Sequence, residues 1–353
     1  MSRDAKIWPF AGPSPSKSSP HAAAPISYPA GGDDAVNCYL FSHARTSLKH
    51  GMKPLKIGKG DRILMPDFNR DVALHPVEQL GAKPVFYPVT NSLTPNWAKL
   101  KKLAKGCRAI LMVHYFGVSQ DSGKFLEFCK THDLLLLEDN AHGLGGVTNG
   151  KALGTIGDIG IASPRKVLPL TNGGALWISS KHDVPVAKTG LGPAPVEKSG
   201  LKPMLKGIAE KIPGAVKLLR RNRPAYHDDS AFQESKIPDW AMDASAVEKL
   251  DAVDWYEVRQ ARRKIYDVWQ RWATSGGREK SLKSVFSMLP EGASPMVFAA
   301  WAKDEETRNK WLDWGFDRRI DVHTWPSLPA EILEDRKSKA RMQWGKLVCF
   351  PIH

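Results

Sequence analysis

The sequence predicts an α/β chain, with a large domain around a central, mostly parallel sheet followed by a smaller C-terminal α/β domain. Three observations predict it. Short apolar runs alternate with helix-length amphipathic segments from about residue 35 to about residue 180. Several of those runs are continuously apolar, as strands buried on both faces are. A chain of 353 residues is also too long for one small core, so two domains are expected.

The elements follow in order. Residues 1–30, rich in Pro, Ser and Ala, read as a flexible arm, and the large domain is assigned to 31–188. "SHART" (Ser42–Thr46) opens a helix. "DRILMPDF" (Asp61–Phe68) and "KPVFYPV" (Lys83–Val89) read as strands. "TPNWAKLKKLAKG" places Trp97, Leu100 and Leu103 at helical spacing, with Thr94 the predicted N-cap and Gly106 the stop. The strand "CRAILMVHYFG" brings His114 and Tyr115 to its end as pocket wall, and a polar helix, "DSGKFLEFCKTHD", follows it. Then comes "LLLLEDNAHGLGG", Leu134 to Gly146, in which four leucines run into Glu138, Asp139 and His142. Strand and helix alternating at this pitch imply right-handed parallel crossovers, which bring such strand ends to the carboxyl edge where open α/β sheets keep their sites. Two further apolar runs, "GDIGIAS" and "GGALWIS", complete the sheet.

Residues 189–236 form a Pro- and Lys-rich basic insert. From 237 to 353 the sequence predicts a linking helix, read as one long amphipathic run through "DASAVEKLDAVDWYEVRQARRKIYDVWQRW", and then the small domain. Composition is that of an ordinary globular enzyme, 42% apolar and 25% charged. Cys38, Cys107, Cys129 and Cys349 are scattered and form no CxxC, which argues for reduced thiols in a cytoplasm and against a zinc site or disulfide framework. No apolar run reaches membrane-spanning length, and "MSRDAKIWPFAG" lacks the apolar core of a signal peptide. The formal charge of +14 calls for an acidic partner without choosing one.

Three features converge on one chemistry. Asp139 ends one strand. Ser163 and Lys166 follow the next, and "SHART" supplies a helix N-terminus. A lysine set among apolar residues and glycines has its pKa lowered by desolvation toward nucleophilic use. A buried carboxylate can hold a pyridine nitrogen protonated, and a helix start with a hydroxyl can bind phosphate. Together they describe a site for pyridoxal 5'-phosphate (PLP).

The stretch "LLLLEDNAHGLGGVTNGKALGTIGDIGIASPRKVLPLTNGGAL" resembles the signature region of the DegT/StrS-type sugar aminotransferases. The likeness rests on "EDNAH", the "GKALGTIGD" turn, the lysine and the Gly-Gly that follows it. Looser likeness runs through "SHARTSL", "KIGKGDRILMPDFN", "LGAKPVFYPV", "HYFG", "DVHTWP" and "CFPIH". The resemblance implies PLP-dependent fold type I and a homodimer. It also implies amino transfer from an amino acid, glutamate by expectation, to a keto-sugar carried on a nucleotide, with no nucleic-acid partner. Residue by residue, it makes Lys166 the cofactor-attaching lysine and Asp139 the partner of the pyridine nitrogen. His142 falls near the cofactor's phenolic oxygen, Ser163 is a phosphate ligand, and Ala44 and Arg45 bind phosphate through backbone N–H groups. Departures stand out. Arg70, with Phe68 nearby, occupies the position of a ring-stacking aromatic, and "IPDWAM" keeps only Met242 of a segment that reaches the phosphate across the dimer. The chain also stops at "PIH".

A dehydratase or isomerase of the same fold is the nearest alternative, although the sugar dehydratases of this fold replace the lysine with histidine. A non-catalytic scaffold built on the fold is the other. In the insert, Leu205, Ile208, Ile212, Val216 and Leu219 repeat at helical spacing beside Lys206, Lys211, Lys217, Arg220 and Arg221. That pattern fits a lid, or a peripheral contact with an acceptor diphosphate or an anionic membrane.

Overall fold

The computed structural model describes residues 36–182, 191, 237 and 239–352. The arm over 1–30 and, apart from Leu191, the insert over 189–236 lie outside the described residues, and the helix expected in the insert lies there with them.

The chain enters through β1 (Val36–Phe41) and turns into α1 (Ala44–Met52). Then follow β2 (Arg62–Pro66), α2 (His75–Gln79), β3 (Lys83–Tyr87), α3 (Trp97–Leu103), β4 (Ala109–Val113), α4 (Ser122–His132) and β5 (Leu135–Asn140). A short hairpin, β6 (Val147–Thr148) and β7 (Lys151–Ala152), precedes β8 (Ile159–Ala162) and β9 (Gly174–Ser179). Seven of these strands form one sheet in the order β1-β9-β8-β5-β4-β2-β3, parallel from β8 to β3, with β9 antiparallel to both of its neighbours. Every residue of β4 is buried, as its continuous apolar sequence requires of a central parallel strand. Strand order reverses between β2 and β4, which opens a crevice at the carboxyl edge.

Close packing positions α1. A Cβ on Gly51 would stand 2.6 Å from Leu176 Cδ1 and 2.8 Å from Ile159 Cδ1, so this glycine lets the helix lie directly on β8 and β9. A Cβ on Gly174 would stand 2.2 Å from the His43 carbonyl carbon, so only glycine lets β9 begin against the start of α1.

The remaining described chain contains α5 (Ala244–Asp251), α6 (Trp255–Ala273), β10 (Leu282–Ser284), β11 (Val297–Ala302), α7 (Glu305–Arg318), α8 (Ala330–Glu334), α9 (Lys339–Trp344) and β12 (Leu347–Pro351). The last three strands form an antiparallel sheet, β10-β11-β12. Two expectations need correction. The single linking helix is two helices, because Asp254 Oδ1 caps α6 by accepting from the N–H groups of Tyr256 and Glu257. The cap of α3 is Asn96, not Thr94. Thr94 precedes a proline, which disfavours helical geometry, and its hydroxyl is engaged with Thr90 Oγ1 at 2.8 Å.

Candidate active site

The leucine run ends in two carboxylates because alternate residues of β5 face opposite sides of the sheet. Glu138 is fully buried and accepts four hydrogen bonds: His114 Nε2 at 2.8 Å, and the backbone N–H groups of Gly154 (2.6 Å), Ile156 (2.7 Å) and Gly157 (3.0 Å). The Gln120 N–H donates to His114 Nδ1, so the imidazole proton sits on Nε2 and points at the carboxylate. Glu138 therefore staples the "GKALGTIGD" turn to the sheet. Glu138→Gln would set an amide NH2 against backbone donors that need an acceptor. It is expected to cost about 3 kcal/mol of unfolding free energy, read as a lower midpoint in urea. An unchanged midpoint would mean that the turn is held by other contacts.

Asp139, on the other side, is half-buried at the strand end. Its Oδ1 accepts from the Ala141 N–H at 2.8 Å. Burial raises its pKa, while the Ala141 N–H and Lys166 hold it down. Lys166 ends the short turn Pro164–Lys166 that follows β8, with its N–H bonded to the Ser163 carbonyl. Loss of solvent lowers its pKa to about 8, with Asp139 opposing and Arg70 and Arg165 reinforcing the shift. The amine and the carboxylate thus share one environment and tune each other.

His142 completes this side of the cleft. Its Nδ1 accepts from the Phe116 N–H at 3.2 Å, which leaves the proton on Nε2. The ring stacks on Phe116 at 5.9 Å and meets Trp325 edge-on at 5.5 Å. Burial, then Lys166 and Arg70, push its pKa well below the usual range, so the imidazole is neutral. Phe116 itself holds a left-handed backbone (φ 55°), and its carbonyl accepts from the Met296 N–H, which ties this loop to the strand β11.

The opposite side is built from the start of α1. The first bond inside that helix runs from the Ser47 N–H to the His43 carbonyl, so the first-turn N–H groups of Ala44 and Arg45 have no acceptor within the helix. His43 pairs with Gly173 in a β-bridge, and the Gly173 N–H donates to the Ser42 carbonyl. This brings the glycines after Lys166 against Ala44 and Arg45. Burial, then Arg45 and Arg165, lower the His43 pKa to about 4. Arg45 itself falls to about 10 by burial and by the charges of Arg165 and Arg70. Three arginines and Lys166 thus converge with Asp139 as the facing carboxylate, an environment suited to an anion. Ser163 is buried at the end of β8.

Electrostatic coupling links Lys166 to Asp139 and to His142, and Arg45 to Arg165 and Arg70, while Ala44 opens α1 beside Gly174 and Ser163 is buried at the end of β8. The structure adds others. Arg165 belongs to the cationic cluster, and Trp325 brings the loosely similar "DVHTWP" segment to His142. Arg262, on α6, donates to the carbonyls of Val167 (3.3 Å), Pro295 (2.8 Å) and Met296 (3.3 Å) and so fixes the chain just after Lys166. Phe68 is not a free stacking ring; it is fully buried among Tyr115, Trp301 and Trp325. Arg70 is half-exposed, with its Nε 3.8 Å from Asp71 Oδ1.

The donor set fits PLP. Gly174 and His43 approach closely where a Cβ would not fit, the start of α1 faces the cationic cluster, and a tuned amine and a carboxylate share the crevice. The fold is the α/β fold type I of the PLP-dependent aminotransferases it resembles. Residues 34–185, the segment that carries Asp139, His142 and Lys166, match the DegT/DnrJ/EryC1/StrS aminotransferase family. The chain is 31% identical over 149 residues to a GDP-perosamine synthase of Vibrio cholerae, covering 42% of this chain and 41% of that protein. It is 29% identical over 150 residues to a dTDP-4-dehydro-2,3,6-trideoxy-D-glucose 4-aminotransferase of Saccharopolyspora spinosa, covering 41% and 39%. These matches span about two-fifths of the curated relatives. In overall shape the chain is similar to PseC, an aminotransferase of Helicobacter pylori pseudaminic acid biosynthesis, with a TM-score of 0.64 at 17% identity over 89% of this chain and 81% of that one. It is also similar to the E. coli GDP-4-keto-6-deoxy-D-mannose-3-dehydratase with bound hydrated PLP, at a TM-score of 0.63 and 17% identity, covering 89% and 83%.

Proposed function

We propose that the protein is a PLP-dependent aminotransferase that moves an amino group from an amino acid to a keto-sugar. The observation that carries the reading is the meeting of Lys166, with its pKa near 8, and Asp139 in a cleft whose sequence matches that family. PLP supplies an aldehyde for attachment and an electron sink for the substrate α-carbon. Lys166 would hold the cofactor and, once freed, carry the proton to and from that carbon. Asp139 would hold a proton on the pyridine nitrogen through its negative charge. His142, neutral with its proton on Nε2, can donate but not repel. Ser163, Ala44 and Arg45 would hold the phosphate, with Arg165 adding charge. The amine near neutrality suits reversible proton transfer at cytoplasmic pH.

The acceptor is proposed to be nucleotide-linked because the curated relatives that match include ones named for GDP-, UDP- and dTDP-sugars. Glutamate is the proposed donor, a homodimer the proposed assembly, and the cytoplasm the proposed compartment, in keeping with four unpaired cysteines. The proposed division remains 31–188 for cofactor binding and 237–353 for the linker and small domain, with the basic insert as a lid or a peripheral contact. No described helix is long and apolar enough to cross a membrane. The similarity in shape to a dehydratase keeps that chemistry as the second reading, and Lys166 argues against it.

An absorbance spectrum of the purified protein tests the reading. The protein is expected to be yellow and to lose that band on addition of glutamate. A colourless protein that takes up no added cofactor would favour the scaffold. A yellow band that glutamate does not alter would count against glutamate as donor.

A further inference from the structure

Arg259, Arg262 and Arg263 on helix α6 all donate to backbone carbonyls. Arg259 Nη1 donates at 2.8 Å to the carbonyl of Gly145, in the loop that follows His142. Arg262, about one helical turn further on, donates from Nη1 at 3.3 Å to the carbonyl of Val167, the residue after Lys166. Residues at this spacing lie on one face of a helix, so a single rigid element holds both the His142 loop and the turn that ends in Lys166. The loop packs closely on that element. Gly145 has a φ of 89°, and a Cβ there would stand 2.9 Å from Trp255 Cε3, in the first turn of α6. Arg263, beside Arg262, donates instead to the carbonyls of Pro290 and Ala293.

Stability alone does not account for Arg262. It is 6% exposed, and among the described residues it forms no ion pair. Burial lowers its pKa to about 10. For a buried cation that meets only carbonyls, the loss of hydration offsets much of what its hydrogen bonds contribute. What the guanidinium supplies is geometry, because its planar fork fixes three carbonyls relative to one another. Its charge is not what bears on the amine. The groups coupled to Lys166 are Asp139, Arg70, Arg165 and His142. Arg262 reaches Lys166 through the backbone of Val167.

We propose that Arg262 is a positioning residue for Lys166, holding the turn that carries the amine on α6 beside the His142 loop that Arg259 holds. The use of that amine in catalysis rests on the aminotransferase reading, whereas the hold on its turn does not. Loss of solvent is the main cause that keeps the Lys166 pKa near 8. A turn released from Arg262 admits water, and the amine then returns toward the ordinary range of a lysine.

Trace acetylation of the intact protein with acetic anhydride over a pH series, read peptide by peptide, gives the midpoint of the Lys166 amine without any cofactor. The unaltered protein is expected to show it at about 8. In Arg262→Ala it should rise by about one pH unit or more. Arg262→Lys keeps the charge without the planar fork and should move the midpoint the same way. It also carries the test if alanine impairs folding, which circular dichroism reports. Arg263→Ala removes a neighbouring arginine from the same helix and should leave the midpoint in place. A folded Arg262→Ala protein with an unmoved midpoint would overturn the proposal. So would an unmoved midpoint in Arg262→Lys, which would assign the effect to charge, or an equal rise in Arg263→Ala, which would reduce it to a loosened helix. A midpoint already in the ordinary lysine range in the unaltered protein would overturn it as well. Borohydride trapping of PLP on the unaltered protein is read separately: a label absent from Lys166 would sink the aminotransferase reading and leave the titration standing.

Discussion

Lys166→Ala is expected to give a folded protein that cannot be labelled at the site and that turns over at least about 10³-fold more slowly, the scale of losing a positioned acid–base group. The labelling experiment does not depend on knowing the sugar. Incubation with PLP followed by borohydride reduction should place the cofactor on the peptide that contains Lys166, and on no single peptide in the variant. The rate of attachment carries a pH signature. Below a pKa of about 8 the amine is protonated and cannot attack an aldehyde, so the rate should rise as pH passes through about 8 and level off above it. A midpoint near 10 would mean that the cleft does not desolvate Lys166. Label on Lys151, also in the signature region, would mean that the wrong lysine has been assigned.

Asp139→Asn carries the second large effect. An amide of the same shape keeps the contact with the Ala141 N–H only through its oxygen and removes the charge opposite the ring nitrogen. Cofactor attachment should persist, because Lys166 and the phosphate side are untouched. Turnover should fall by about 10²–10³-fold, the scale of deleting one preorganised electrostatic group. The neighbouring Glu138 cannot substitute, since its two oxygens are committed to His114 and the backbone of the turn. Turnover near that of the unaltered protein would make Asp139 structural.

Much of this was legible in the chain because it is local. Apolar runs marked the strands of the large sheet, and the residues that end them, Asp139 and Ser163, sit where parallel topology must deliver them. The break between α5 and α6 was legible too, in the Asp254-to-Glu257 spacing of a helix start, but the helical periodicity runs through it and conceals the join. Other features had no local signature. Nothing in the sequence around Arg165 or Trp325 brings one beside Arg45 or the other beside His142; the order of strands and the docking of the second sheet do that. The two acids at 138 and 139 look alike in sequence and differ only because the pleat turns one toward the Gly154–Gly157 turn and the other toward the cleft.

The three carbonyls gathered by Arg262 have a mechanical consequence. Val167 belongs to the segment that carries the reactive amine, while Pro295 and Met296 lead into the second sheet, so one rigid guanidinium fork couples the two. Asp139 is anchored in the large sheet, opposite Val113 of β4. One side chain therefore holds the chain just after Lys166 to the segment that enters the second sheet, and Arg262→Ala would release it.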